Sequence, residues 1–138
     1  MKTELVERKQ FVSKEMFEKA IILKLEAYSI ELIVLAGFMR ILSAEFAQRY
    51  QGRLINIHPS YLPAFTGGHA IRDAFEAKVR ETGVTVHHVV AEVDAGPIII
   101  QRKVPILAED TLETLEARIH AVEYDLYPEA LRILTEKR

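Results

Sequence analysis

Arg53-Leu-Ile-Asn-Ile-His-Pro-Ser-Tyr-Leu-Pro63 carries both the fold and the chemistry of this chain. Leu54, Ile55 and Ile57 read as strand, so Asn56 and His58, two apart, face the same side, and Pro59 ends the run. Upstream, Leu32-Ile-Val-Leu-Ala36 is a continuous apolar run of the kind buried on both faces of a parallel sheet, closed by Gly37. Between the two, Ser43 caps a short helix through Tyr50, and this β-α-β order favours a right-handed crossover and a parallel pair. Nearer the N-terminus, Ser13 caps a helix with Phe17, Ala20, Ile21 and Leu25 on one face. Downstream, residues 61–70 read as a loop, 71–79 as a helix, and 84–91 and 98–104 as strands. Asp110 or Thr111 caps a long last helix striped by Leu112, Leu115, Ile119, Val122 and Leu126, which Pro128 is expected to kink or restart. The expectation is an α/β fold: a mostly parallel sheet flanked by helices, with the site at the carboxyl ends of the strands.

Composition narrows the function classes. At 138 residues and 49% hydrophobic, the chain reads as a single globular domain with enough apolar content for a core. Its 18 basic and 20 acidic residues, net charge −2, are spread without like-charge runs, which argues against a nucleic-acid surface. There is no cysteine, hence neither a disulfide framework nor thiolate chemistry. No stretch approaches the ~20 apolar residues of a membrane span, and the charged N-terminus lacks a signal-peptide core. The expected setting is the cytoplasm.

The chemistry-bearing residues each have a plain alternative. An Asn side-chain N–H can hold an oxyanion, a neighbouring His can move protons, and a nearby Asp can orient that ring. Asn56, His58 and, in Val93-Asp-Ala-Gly-Pro97, Asp94 therefore form the parts of an acyl-transfer site. Equally, Asn56 can pin the Pro59 turn, an isolated strand-end His58 is more often a packing residue, and Asp94 can cap the turn into Gly96 and Pro97. Thr85 and His87, two apart in a strand, share a face while His88 points away. Adjacent histidines on a strand cannot both reach one ion, so no metal is expected.

Val34-Leu-Ala-Gly-Phe-Met-Arg-Ile-Leu42, Asn56-Ile-His-Pro-Ser60, Leu62-Pro63, Gly83-Val-Thr-Val-His87 and Asp94-Ala-Gly-Pro97 together resemble the phosphoribosylglycinamide formyltransferase family, folate-dependent enzymes of purine synthesis. The resemblance runs from about Phe11 into the last helix. It implies Asn56, His58 and Asp94 as catalytic residues, supported by Thr85 and His87. It implies a folate pocket walled by Met39, Arg40, Ile41 and Leu42 on one side and by Val90, Ala91, Glu92, Val93 and Asp94 on the other. It implies nucleotide-substrate contacts at Lys14, His120 and Glu123, with 10-formyltetrahydrofolate as co-substrate and no metal. Lys14 stands where the family often has Arg, which keeps the charge but not the bidentate fork. Thr66 replaces a usual Pro, and Tyr124 follows Glu123 where His is common.

Family members begin with a strand and a Gly- and Ser-rich phosphate loop. This chain, with six glycines, holds no such nest, so it is expected to be an N-terminally truncated domain. Three functions stay open on the residues: formyl transfer to glycinamide ribonucleotide, formyltetrahydrofolate hydrolysis, and folate binding without turnover. Truncation should leave the 32–36 strand at a sheet edge without protecting charge, proline or bulge, so a homodimer is expected.

Overall fold

The computed structural model describes residues 3–35, 42–91 and 95–136. The chain divides into two compact units, Met1–Ile33 and Val34–Arg138. In the first, a 3-10 turn, Arg8–Gln10, precedes helix α1, Lys14–Ala27. Ser13 caps α1 as expected, its hydroxyl accepting the Met16 N–H at 3.2 Å, a contact worth about 1 kcal/mol. Phe17 is buried with its ring 5.9 Å from that of Phe11. At the far end, Glu4 receives the Tyr28 hydroxyl at 2.8 Å and lies 3.5 Å from Lys24.

The second unit is built on a four-stranded sheet of order β1-β2-β3-β4, formed by Ile33–Leu35, Leu54–His58, Glu81–His88 and Ile98–Pro105. Helices α2, Ala44–Arg49, and α3, Ala70–Glu76, lie between strands in sequence, and α4, Leu112–Glu136, follows them. Ser43 caps α2 through the Phe46 N–H at 3.1 Å. Leu54 and Ile55 of β2 and Val84 and Val86 of β3 are fully buried, and each such side chain stabilises the fold by roughly 1.5–3 kcal/mol.

The mostly parallel sheet expected from sequence is corrected by the strand pairing. β2 and β3 run antiparallel, as do β3 and β4, so the α/β sheet is mixed. Chain length explains the second of these pairs. Only nine residues separate His88 from Ile98 (98 − 88 − 1), too few for a crossover, which needs a dozen or more. The 22 residues between His58 and Glu81 (81 − 58 − 1) are enough for one, so length alone does not set the direction of β3 against β2.

β1 lies at the sheet edge, as expected for the 32–36 strand, but it is three residues long and leaves Val34 39% exposed, not buried on both faces as its apolar run suggested.

Register decides what each face carries. Ile55 pairs with His88, Asn56 with His87 and His58 with Thr85, while Thr85 pairs in turn with Gln101. One face thus presents Asn56, His58, Thr85, His87 and Gln101. The other presents Val84 and its partner Arg102, whose guanidinium meets Glu129 of α4 at 2.9 Å, so α4 covers this second face. Leu115, Ile119 and Leu126 are the buried stripe of α4, which runs unbroken across Pro128 without the expected restart.

Thr111 caps α4. Its hydroxyl accepts the Thr114 N–H at 3.2 Å, and the Thr114 hydroxyl oxygen accepts the Thr111 N–H at 2.9 Å, a reciprocal pairing. Asp110 takes a different part. Arg118 grips its two carboxylate oxygens at 2.7 and 2.8 Å and also donates to the Pro105 carbonyl at 2.9 Å, which fixes the end of β4 to the start of α4. The Arg118 guanidinium, followed by the Leu107 N–H at 2.7 Å, holds the Asp110 carboxyl well below the usual carboxylate range. A depressed folded-state value means that the charged form contributes stability above the unfolded value of 3.8 and loses it as pH falls through the folded value. Asp110→Asn is expected to lower Tm by several degrees at pH 7, with the gap narrowing below pH 3.8. Thermal melts across pH check this, and equal Tm values at neutral pH would show the clamp to be idle.

Candidate functional site

The face bearing Asn56 and His58 is overlaid by the loop of residues 59–69. His58 is 5% exposed, and its Nε2 lies 2.9 Å from the Phe65 carbonyl oxygen. A carbonyl only accepts, so Nε2 carries hydrogen and the neutral ring has its lone pair on Nδ1. Phe65 reaches this position with φ of 53°, in the left-handed region that a non-glycine residue rarely occupies, so the loop spends backbone strain to aim that carbonyl.

Thr85 holds the loop to the sheet. Its hydroxyl donates to the Ser60 carbonyl at 2.7 Å and accepts the Leu62 N–H at 3.1 Å and a Gln101 amide N–H at 3.0 Å. The same Gln101 nitrogen donates to the Leu62 carbonyl at 2.8 Å, and the Ser60 hydroxyl donates to the Ala64 carbonyl at 2.6 Å. Buried polar groups on this side are therefore knitted to each other. That pins the backbone immediately after His58. His87 Nδ1 donates to the His88 carbonyl at 2.9 Å, fixing the ring beside Asn56 across the strand pair. Asn56 is half-buried, and its side-chain amide hydrogen-bonds no described residue.

These placements sort the residues named from sequence. Asn56, His58, Thr85 and His87 converge on one face. His58 is the last residue of β2, so this face reaches that strand's carboxyl end, while β3, which carries Thr85 and His87, runs antiparallel to it. Leu42, Val90 and Ala91 are placed beside the ends of the described segments, half-buried in the first two cases and exposed in the third. Met39, Arg40, Ile41, Glu92, Val93 and Asp94 lie outside the described residues. Lys14 opens α1 in the first unit. His120 and Glu123 belong to α4 and pair with each other, Nδ1 to Oε2, at 3.2 Å. One helical turn beyond Glu123, the hydroxyl of Tyr127 reaches the carbonyls of Leu35 and, at 3.3 Å, Ile55, the residue before Asn56. This turn of α4 thus abuts the strand that carries the amide.

Sequence reasoning missed Phe65, Gln101 and Tyr127. Phe65 acts through its backbone, which no side-chain pattern signals. Gln101 was hidden in an apolar strand, although a polar residue among Ile98, Ile99, Ile100 and Val104 marks a buried partner. Tyr127 was hidden on an apolar helix stripe, where a hydroxyl needs an acceptor.

Known proteins resemble this chain over nearly all its length. The family model described as formyl transferase matches residues 1–131. The phosphoribosylglycinamide formyltransferase of Bacillus subtilis (strain 168) is 48% identical over 128 residues, 93% of this chain and 66% of that protein. The trifunctional purine biosynthetic protein adenosine-3 of Gallus gallus is 48% identical over 132 residues, 96% of this chain and 13% of that protein. The crystal structure of phosphoribosylglycinamide formyltransferase from Streptococcus pneumoniae TIGR4 superposes with a TM-score of 0.90 at 48% identity, covering 94% of this chain and 72% of that one. The chain spans less than two thirds of the length of these two curated relatives. With the family model matched from the first residue into α4, and with the Asn56 and His58 face assembled on the shared fold, this chain belongs to the formyl transferase family.

Proposed function

We infer that the chain transfers the formyl group of 10-formyltetrahydrofolate to the primary amine of glycinamide ribonucleotide. The observation that carries this reading is the single sheet face holding Asn56, His58, Thr85 and His87, in a chain of this family. The amine nitrogen attacks the formyl carbon, the carbonyl π electrons move to oxygen, and the tetrahedral species collapses as the folate nitrogen leaves and takes a proton. The Asn56 amide N–H holds the oxyanion. His58 accepts the amine proton and delivers one to the leaving nitrogen, and Asp94 is assigned as the carboxylate that favours its charged form. Thr85 and His87 hold the loop and the strand in place. Met39, Arg40, Ile41 and Leu42, with Val90, Ala91, Glu92, Val93 and Asp94, line the folate pocket. Lys14, His120 and Glu123 receive the nucleotide substrate. No metal enters this chemistry.

Binding sets the first test: calorimetry is expected to find that the chain takes up 5-formyltetrahydrofolate, and no detectable binding would remove the folate pocket from this reading. An assay with labelled formyl donor then separates the readings. Label in the ribonucleotide supports transfer, label released only as formate indicates a hydrolase, and folate binding with neither product indicates a binding domain without turnover.

The assembly we infer is a homodimer, located in the cytoplasm. β1 at the sheet edge, with Val34 exposed and no charge or proline in Ile33–Leu35, supports pairing with a second copy. Light scattering at micromolar concentration is expected to give a dimer, and a stable monomer would refute this. No described helix is long and apolar enough to cross a membrane.

A further inference from the structure

We propose that Tyr127 is a positioning residue, its hydroxyl setting the distance between the turn of α4 that carries Glu123 and the strand that carries Asn56. The phenol has one proton and two acceptors. It donates to the Leu35 carbonyl of β1 and sits 3.3 Å from the Ile55 carbonyl of β2, so one hydroxyl bridges the two adjacent strands. Burial pushes its pKa up, so it remains a donor at any working pH. Four residues earlier on the helix, Glu123 lies on the same stripe as Tyr127. On the other side, the Ile55 peptide is bonded directly to Asn56, so any shift of that carbonyl moves the Asn56 backbone. Tyr127 therefore touches neither reacting group, yet the Ile55 carbonyl it meets belongs to the peptide bonded to Asn56, and Tyr127 itself stands one helical turn from the carboxylate assigned to the incoming amine.

This inference rests on the formyl-transfer reading for its consequence, though not for its geometry. A two-substrate reaction depends steeply on the approach of its partners, and a misplacement of about 1 Å costs on the order of 10²-fold. Water needs no such alignment. Loss of the hydroxyl should therefore slow transfer to the amine more than hydrolysis of the same donor.

The test is Tyr127→Phe, which keeps the ring, studied by two independent readouts. In ¹H–¹⁵N spectra of the variant, the Asn56 side-chain amide and the backbone signals of Asn56 are expected to shift along with those of α4. Changes confined to α4 would overturn the proposal, whatever the chain catalyses. In the formyl assay, the ratio of transfer to hydrolysis is expected to fall about tenfold or more, with affinity for 5-formyltetrahydrofolate within about twofold of the parent. Equal loss of transfer and hydrolysis would mark a purely structural residue and overturn it. A parent chain that transfers no label contradicts the proposed function, while the spectra still decide the positioning role.

Discussion

Asn56→Asp is expected to slow formyl transfer by about 10³-fold or more while leaving affinity for 5-formyltetrahydrofolate within a few-fold of the parent. The exchange is nearly isosteric, so packing on the Asn56 and His87 pair is preserved. What changes is the charge that faces the tetrahedral species: an N–H donor aimed at a developing oxyanion becomes an acceptor-only carboxylate. Removing a single oxyanion donor elsewhere costs about 10²–10³ in rate, and adding a negative charge in a half-buried place adds to that. Ground-state binding of the folate should change little, because the amide acts on charge that appears only in the transition state. His58→Ala should cost about 10²–10⁴-fold, and the double variant should cost far less than the product of the two, since both act on one step. Single-turnover rates with labelled donor measure all three. An Asn56→Asp variant transferring at the parental rate would remove the oxyanion assignment, and strictly multiplicative losses would show the two residues acting on different steps.

The sequence made the local parts of this site legible, because period-two alternation is a hard geometric rule. Asn56 and His58 on β2, and Thr85 and His87 on β3, share faces as their spacing requires. Capping residues were equally plain: Ser13 and Ser43 accept N–H groups three residues on. Strand direction was not legible. An apolar run such as 84–91 looks the same in either orientation, and connection length decides only the turn from β3 into β4, where nine residues precede Ile98. The continuity of α4 through Pro128 was also obscured, since packing of Leu126 and Ala130 on either side outweighs one missing hydrogen bond. Backbone contributions such as the Phe65 carbonyl have no signature in side-chain spacing at all.

Gly96→Ala is expected to lower Tm by about 10 °C and to depress activity at temperatures where the protein stays folded. Gly96 is buried, and a Cβ placed there would lie 1.7 Å from the His88 carbonyl oxygen and 2.7 Å from its carbon. Those atoms are backbone and cannot swing aside as a side-chain tip does, so the chain entering β4 must lift away from the end of β3. Overpacking a tight interior costs about 1–3 kcal/mol, and about 3 kcal/mol corresponds to a fall near 10 °C in a domain of this size. Two hydrogen bonds sit on the displaced atoms. The His88 N–H donates to the Pro97 carbonyl at 2.9 Å, and the His88 carbonyl accepts from His87 Nδ1 at 2.9 Å. The same push that separates the strands therefore unseats the His87 ring beside Asn56, which joins a stability loss to an activity loss. Gly68→Ala is the control, since nothing lies within 4 Å of its Cβ position and its φ is not in the left-handed region. Its Tm should stay within about 2 °C of the parent, as for most exposed substitutions. Calorimetric melts of the two variants, with transfer rates at a common temperature well below both transitions, give the comparison; matching Tm values for Gly96→Ala and Gly68→Ala would show that the turn into β4 has room to spare and that the contact with His88 does not hold the site together.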